Sequence, residues 1–244
     1  MTVRNWRDCP VALSHGNIVE RTIFTRIEPR GPAGPGAVLS VLKSFSRGWI
    51  DVGTTPEPTT HRDEQEVLYV CRGTGIITCD GQDTTIREGS AVLIPAGLRH
   101  SVICGVERPL ELLRIVDEVP REAVGEPKGL VVRNYHEVTM GGPWHWAHLG
   151  RTLLGTQDGL VSIRGGIGHI TIPPMSIAEP HPGFADADEV WYQLKGTSLL
   201  FLGQSIRWQR EGDAAFIPAG VNHSSINHTD EPMEWLYFFT GVRS

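Results

Sequence analysis

Histidine and carboxylate side chains recur at matching positions in two parts of the chain. The first group is His61, Glu66 and His100, and the second is Glu179, His181, Glu189 and His223. The glutamate and the late histidine are 34 residues apart in both groups, from 66 to 100 and from 189 to 223. Two imidazoles and a carboxylate with open coordination positions suit a divalent ion such as Fe, Mn, Ni or Zn. Because such an ion can polarise a carbonyl or acidify water, the spacing predicts metal chemistry.

An internal repeat carries these residues. Glu66–Thr74 matches Glu189–Thr197, and Gly89–Ser101 matches Gly212–Ser224, with every pair offset by 123 positions. A single register kept from residue 66 to residue 111 indicates a tandem duplication. We therefore predict a first domain at 1–119, a linker at 120–129 and a second domain at 130–244.

Each copy has the pattern of short strands. In the first copy, Val67–Cys71, Ile76–Cys79, Ala91–Ile94 and Leu110–Val116 are apolar runs rich in β-branched and aliphatic residues. Asp80-Gly81 is a strong hairpin-turn signal between two of them. Convincing helical periodicity is nearly absent, so an all-β protein is predicted, with each copy closed into a barrel or jelly roll.

Composition narrows the range of partners. The 244 residues carry a formal net charge of −6 without a Lys/Arg block, so we expect no nucleic-acid partner. No stretch approaches the roughly 18 apolar residues of a membrane span, and the N-terminus lacks the apolar run of a signal peptide. The four cysteines have no CxxC spacing, which favours a reduced, cytoplasmic protein. A small-molecule substrate is the expected partner.

The two copies resemble the cupin superfamily, whose motifs are G-x5-H-x-H-x3,4-E-x6-G and G-x5-P-x-G-x2-H-x3-N. Copy one matches at Gly53, His61, Glu66, Gly73, Gly89, Pro95, Gly97 and His100, but has Thr59 for the first His and Cys104 for the Asn. Copy two matches at His181, Glu189, Gly196, Gly212, Pro218, Gly220, His223 and Asn227, but has Glu179 for the first His and a longer gap before Glu189. The resemblance covers nearly the whole chain. It implies a bicupin, with two tandem cupin (double-stranded β-helix, jelly-roll) barrels.

The resemblance also implies a metal-dependent enzyme acting on a small polar metabolite. The metal would act as a Lewis acid in isomerase, hydrolase, lyase or decarboxylase chemistry. Two alternatives stay open: a non-haem Fe(II) dioxygenase, which the His61, Glu66 and His100 triad fits better, and a non-catalytic metal- or ligand-binding bicupin. Because the copies differ at their ligands, we expect different roles for them, with the working metal in copy two. A homodimer is also expected, since cupins often dimerise through barrel edges.

Three further polar residues of copy two are candidates for catalysis. Glu179 would be a metal ligand or a base beside the metal. Gln193 shares a strand face with Glu189 and is predicted to line the same pocket. Glu234, matched by Glu111 in copy one, is a candidate general acid or base.

Two segments near copy two allow more than one interpretation. Asp186 and Asp188 precede Glu189 in an inserted loop and are alternatives to it as metal ligand. Trp144–His148 is predicted to be a linker that packs aromatic side chains on the second barrel. The alternative is a flap that brings a histidine over a barrel mouth.

Overall fold

Strands form nearly all of the regular structure. The computed structural model describes residues 2–28, 34–120 and 129–241, and these ranges contain 23 strands, no α-helix and two 3-10 turns at Trp6–Asp8 and Thr156–Asp158. The strands before the predicted linker are β1 Thr2–Asn5, β2 Val11–Ser14, β3 Ile18–Arg26, β4 Ala37–Leu39, β5 Ser44–Ile50, β6 Glu64–Arg72, β7 Thr74–Cys79, β8 Gln82–Arg87, β9 Ser90–Ile94, β10 His100–Cys104 and β11 Leu110–Glu118. Those after it are β12 Val131–Asn134, β13 Gly141–Trp144, β14 His148–Leu154, β15 Ile167–Ile172, β16 Ser176–Ile177, β17 His181–Pro182, β18 Ala187–Lys195, β19 Thr197–Leu202, β20 Ser205–Arg210, β21 Asp213–Ile217, β22 Asn222–Asn227 and β23 Met233–Gly241. The predicted all-β class is confirmed.

The first barrel consists of a large sheet and a small one. The large sheet has the order β12-β9-β6-β11-β5-β3-β2, with β4 paired to β3, and the small sheet has the order β10-β7-β8. Asp80 and Gly81 both have positive φ, 47° and 79°, and Cys79 pairs with Gln82 across them. This geometry is the tight two-residue hairpin turn that the Asp-Gly pair predicts.

The second barrel repeats the arrangement. Its large sheet has the order β1-β21-β18-β23-β15-β14-β13, and its small sheet is β16-β22-β19-β20, with β17 paired to β22. The barrels exchange edge strands, because β1 joins the second barrel and β12 joins the first. The sheets therefore cross the predicted division of 1–119 and 130–244 at both ends. Residues 121–128 of the predicted linker lie outside the described residues.

Strand alternation buries both faces of the central strands. In β6, Leu68 and Val70 fill the first barrel, while Val67 and Tyr69 pack in a cluster shared with the second barrel. Phe45 meets Tyr192 across that shared core, with ring centroids 5.9 Å apart. Side chains two residues apart on a strand face the same side. Glu66 and Glu189 consequently face the barrel interiors, where they are almost fully buried.

Candidate metal centres and ligand cavity

Four side chains converge inside the first barrel. Glu66 Oε2 lies 3.4 Å from His15 Nε2 and 3.6 Å from His100 Nε2, and Glu66 Oε1 lies 3.0 Å from His61 Nε2. The Nε2 atoms of His15 and His61 are 3.4 Å apart. In the described part of the chain, His15, Glu66 and His100 form a group whose ligand atoms all lie within 4.8 Å of one another. Such donor spacing suits an ion with bonds of about 2.0–2.2 Å.

His15 is the ligand candidate that sequence reasoning missed. Copy one has Thr59 at the first histidine position, and Thr59 exchanges two backbone hydrogen bonds with His100, at 2.8 and 2.9 Å. His15 follows β2 with a left-handed φ of 53° and brings an imidazole to the same centre from outside the motif. It precedes His61 by 46 residues, so motif spacing carries no signal for it.

The hydrogen bonding of His100 leaves one of its ring nitrogens available to bind a metal. His100 Nδ1 lies 3.1 Å from the carbonyl oxygen of Leu98, to which it can donate. The lone pair is then on Nε2, which is buried and has no hydrogen-bond partner among the described residues. Since buried acceptors rarely stay unpaired, an electron-pair acceptor is expected there.

Arg114 changes the electrostatics of this centre. Its guanidinium lies 2.5 Å from Glu66 Oε1 and 3.2 Å from Glu20 Oε2. Burial opposes ionisation of Glu66, but Arg114 and the surrounding imidazoles outweigh it and hold the pKa of Glu66 well below its usual range. The Glu66 carboxylate therefore already has a positive partner within the protein.

In the second barrel, His223 lies next to two other predicted ligands, although among the described residues only the first-barrel group has all of its ligand atoms within 4.8 Å of one another. His181 and His223 face each other on β17 and β22, with ring centroids 4.4 Å apart, and His223 Nε2 lies 3.6 Å from Glu189 Oε2. The Nδ1 atoms of His181 and His223 lie 2.8 and 2.9 Å from backbone carbonyl oxygens. These contacts leave the lone pairs on Nε2, and that of His223 is buried without a partner among the described residues. Backbone contacts of this kind orient metal-binding histidines.

Glu189 differs from Glu66 in its charge environment. Its side chain accepts a hydrogen bond of 3.0 Å from the Trp191 indole, and no Lys or Arg within the described ranges pairs with it. Burial raises the pKa of Glu189 to about 7, against a smaller opposing effect of the indole. Burial also lowers the pKa of His223 to about 4, so its imidazole is neutral, as a metal ligand must be. A divalent cation bound beside Glu189 would supply the positive charge that its carboxylate lacks as a partner.

A cavity of about 320 Å³ opens onto this second set. Its walls are aromatic, formed by Trp144, Phe184, Trp191, Trp235, Tyr237 and Phe239. Besides Tyr237 and the indoles, its polar side chains are Glu189 and three imidazoles, those of His145, His148 and His181.

The segment Trp144–His148 contributes two of those imidazoles. His145 stacks flat on His181, with centroids 3.7 Å apart and planes 2° apart. His148 is buried against Trp235, and its Nε2 has no partner in the described structure. Burial lowers the pKa of His148 to about 3. The preferred interpretation as a packing linker is therefore incomplete, because the segment also brings two imidazoles to the lining of the cavity.

Other candidates of copy two point away from the ligand set. The Glu179 carboxylate is 45% exposed and lies 3.8 Å from His145 Nδ1 at the mouth. Asp186 forms an ion pair with Arg164 at the surface. Asp188 is buried and accepts hydrogen bonds from Ser40 Oγ at 2.7 Å and from the Ala219 amide at 3.0 Å. Neither aspartate takes the place of Glu189.

The structure does not bring Gln193 or Glu234 to the cavity. Gln193 is on the predicted face, but its amide nitrogen donates to the Lys195 carbonyl at 2.8 Å, away from the cavity lining. Glu234 precedes Trp235 on β23, and because Trp235 faces the cavity, Glu234 faces the other way. It lies 3.2 Å from His169 Nε2 in a cleft of about 350 Å³ between the barrels. Alternation along β23 thus places Glu234 in this cleft and not in the cavity of the second barrel.

Comparison with known families agrees with this architecture. The cupin domain family matches the chain twice, at residues 49–116 and 168–239, once in each barrel. The chain belongs to the cupin family and is a bicupin.

Individual relatives extend the comparison. An uncharacterized protein of Streptomyces coelicolor is 35% identical over 78 residues, which cover 30% of this chain and 73% of that protein. A variant of Bacillus subtilis oxalate decarboxylase has a TM-score of 0.71 at 15% identity, over 99% of this chain and 77% of its own. An Escherichia coli pirin in complex with nickel(II) has a TM-score of 0.74 at 18% identity, over 99% of both chains. A Geobacillus kaustophilus protein has a TM-score of 0.75 at 12% identity, over 100% of this chain and 96% of its own. At these identities the structural likenesses show the fold.

Proposed function

We propose that the protein is a metal-dependent cupin enzyme whose reaction takes place in the cavity of the second barrel. One observation carries the proposal: the cavity is lined by Glu189, a buried carboxylate without a Lys or Arg partner in the described structure, and Glu189 lies beside the free Nε2 lone pair of His223. A divalent ion held by His181, Glu189 and His223 would satisfy both groups. In the first barrel Arg114 already neutralises Glu66, so we assign the working metal to the second barrel.

The chain's own residues prepare this site. Contacts with backbone carbonyls orient His181 and His223, and the Trp191 indole orients Glu189. The aromatic walls exclude water from the bound substrate, which strengthens polar interactions there. His148 can accept a hydrogen bond from the substrate, while its low pKa keeps it neutral. When bound, Mn, Fe, Zn or Ni would act as a Lewis acid with open coordination positions.

The comparisons support a metal-dependent reaction without naming it. One protein of similar fold is named an oxalate decarboxylase, and another, a pirin, was solved in complex with nickel(II). Isomerase, hydrolase, lyase and decarboxylase chemistry all stay within the proposal. The Fe(II) dioxygenase alternative predicts oxygen consumption with a substrate, and the non-catalytic alternative predicts binding without turnover. A homodimer and a cytoplasmic location stay predictions; no helix in the described ranges has the length and apolar character to cross a membrane.

Elemental analysis of protein purified without added metal tests the proposal. We expect bound metal in the wild-type protein. The His181→Ala variant should lose the part of that metal which the second barrel binds. His61→Ala is the matched variant in the first barrel and should retain that share. If neither substitution lowers the metal content, the metal-site proposal fails. If only His61→Ala lowers it, the working metal belongs to the first barrel.

A further inference from the structure

The cleft between the barrels is lined by equivalent residues of the two copies. Tyr69 is matched by Tyr192 and Glu111 by Glu234, in each case 123 positions further along the chain. Three more pairs of lining residues keep the same offset: Glu88 with Glu211, Gly89 with Gly212, and Arg72 with Lys195. The two halves of the cleft therefore offer similar chemistry, and a ligand bound there would contact both barrels.

Buried polar groups in the floor of the cleft lack hydrogen-bond partners. Tyr69 and Tyr192 both line the cleft and are only 5% and 3% exposed, and neither hydroxyl has a partner among the described residues. His169 is 1% exposed; its Nε2 lies 3.2 Å from Glu234 Oε2, while its Nδ1 has no partner in the same part of the chain. Because buried polar groups are normally hydrogen-bonded, the floor of the cleft is suited to a polar ligand.

Positive and negative side chains balance each other in the cleft. Its lining contains four Arg or Lys side chains and four Glu side chains. Arg47 forms an ion pair with Glu111, which lies opposite Arg72 on the neighbouring strand. In the other half of the cleft, Glu234 lies opposite Lys195. A ligand with a net charge would leave one sign without compensation, which is costly where water is partly excluded. Because acids and bases are interleaved in both halves, the cleft also lacks the separate positive and negative ends that a zwitterion needs.

We infer that the cleft between the barrels binds a neutral, polyhydroxylated molecule of monosaccharide size. A hydroxyl group both donates and accepts hydrogen bonds, so it can bridge a carboxylate and a neighbouring cation such as Glu111 and Arg47. The hydroxyls of Tyr69 and Tyr192 bind the same molecule from the floor. The volume of about 350 Å³ lies near the lower end of small-molecule pockets, which run to roughly 1,000 Å³, and admits one sugar or cyclic polyol. This site shares no lining residue with the cavity of the second barrel, so it is a second ligand site beside the proposed reaction site.

Saturation-transfer NMR titrations of the full chain test the inference. The neutral probes are D-glucose, D-galactose and myo-inositol, and the charged probes are succinate, putrescine and β-alanine, which are a dianion, a dication and a zwitterion. We expect at least one neutral probe to bind with a Kd of about 10 mM or lower, and about tenfold or more tightly than every charged probe.

Matched tyrosine variants locate the bound molecule. Tyr69→Phe and Tyr192→Phe each remove one hydroxyl from the floor of the cleft and should weaken binding by about three- to tenfold. Tyr237→Phe makes the same change in the cavity of the second barrel and should leave binding unchanged.

Three results would overturn the inference. The first is that none of the neutral probes binds, and the second is that a charged probe binds as tightly as the best of them. The third is that Tyr237→Phe weakens binding as much as Tyr69→Phe and Tyr192→Phe do, or that neither cleft variant weakens it, because the molecule would then lie elsewhere. The metal content of the second barrel does not enter this test, so its outcome and that of the proposed function are independent.

Discussion

Replacing Glu189 by Gln in metal-free protein removes a buried negative charge that has no cation beside it in the described structure, and should therefore change how stability depends on pH. Burial raises the pKa of Glu189 from 4.5 to about 7, so the folded state binds the proton more tightly than the unfolded chain. Each tenfold difference in proton affinity is worth 1.36 kcal/mol, so ionised Glu189 costs the folded state about 3 kcal/mol. The stability of the wild type should fall as pH rises from 4.5 to 7 and then level off. The amide side chain of the Glu189→Gln variant stays neutral at every pH in this range and escapes this loss.

Urea titrations in EDTA between pH 5 and pH 8 measure the effect. Relative to the wild type, the free energy of unfolding of Glu189→Gln should rise by about 2.5 kcal/mol over that range. Glu179→Gln is the matched control, because the Glu179 carboxylate is half exposed and its replacement should leave the pH dependence nearly unchanged. Adding a divalent metal should stabilise the wild type at pH 8 more than the Glu189→Gln variant, since the ion binds only the folded site.

Two results would refute this reasoning. Parallel pH profiles for the wild type and Glu189→Gln would mean that another group compensates the Glu189 charge. A wild type that gains stability relative to the variant as pH rises would mean that the pKa of Glu189 is lowered, and the case for a missing cation would collapse.

Three further predictions concern the two barrels. Arg114→Met leaves buried Glu66 without its cation and should destabilise metal-free protein by about 3–5 kcal/mol in urea titrations, and by less with a divalent metal present. An undiminished loss with metal would argue against an ion beside Glu66. Asn227→Ala removes hydrogen bonds to three backbone carbonyls and should cost about 2–3 kcal/mol, whereas Cys104→Ala, at the equivalent position, should cost under about 1 kcal/mol. Equal costs in the same assay would contradict a structural role for Asn227. Deleting residues 1–5 removes β1 and should speed amide hydrogen exchange in β21 while leaving β9 protected; unchanged exchange in β21 would contradict the strand exchange.

The fold was predictable because the repeat is long and its turn chemistry is local. The 123-residue offset predicts two similar barrels, and Asp80-Gly81 predicts a hairpin from two residues alone. The exchange of β1 and β12 between barrels was not predictable. Strand pairing across more than 200 residues, such as Val3 with Ala215, depends on tertiary packing that leaves no local pattern.

The candidate sites were predictable only where the motif covers them. The positions of His181, Glu189 and His223 follow from spacing and alternation, whereas His15 reaches the first barrel from a turn outside the motif. For Gln193 and Glu234 the sequence offers only their positions along a strand. The hydrogen bond from Gln193 to the Lys195 carbonyl, and the face of β23 on which Glu234 lies, depend on how β18 and β23 pair in the folded protein.

A crystal structure with anomalous diffraction data, collected on protein grown with Mn(II), tests the central claim most directly. We expect an anomalous peak in the second barrel, bonded to His181 Nε2, His223 Nε2 and a carboxylate oxygen of Glu189. A second peak beside His15, Glu66 and His100 would be compatible with the account. A peak confined to the first barrel, or Glu189 hydrogen-bonded to a side chain or water with no ion beside it, would contradict it.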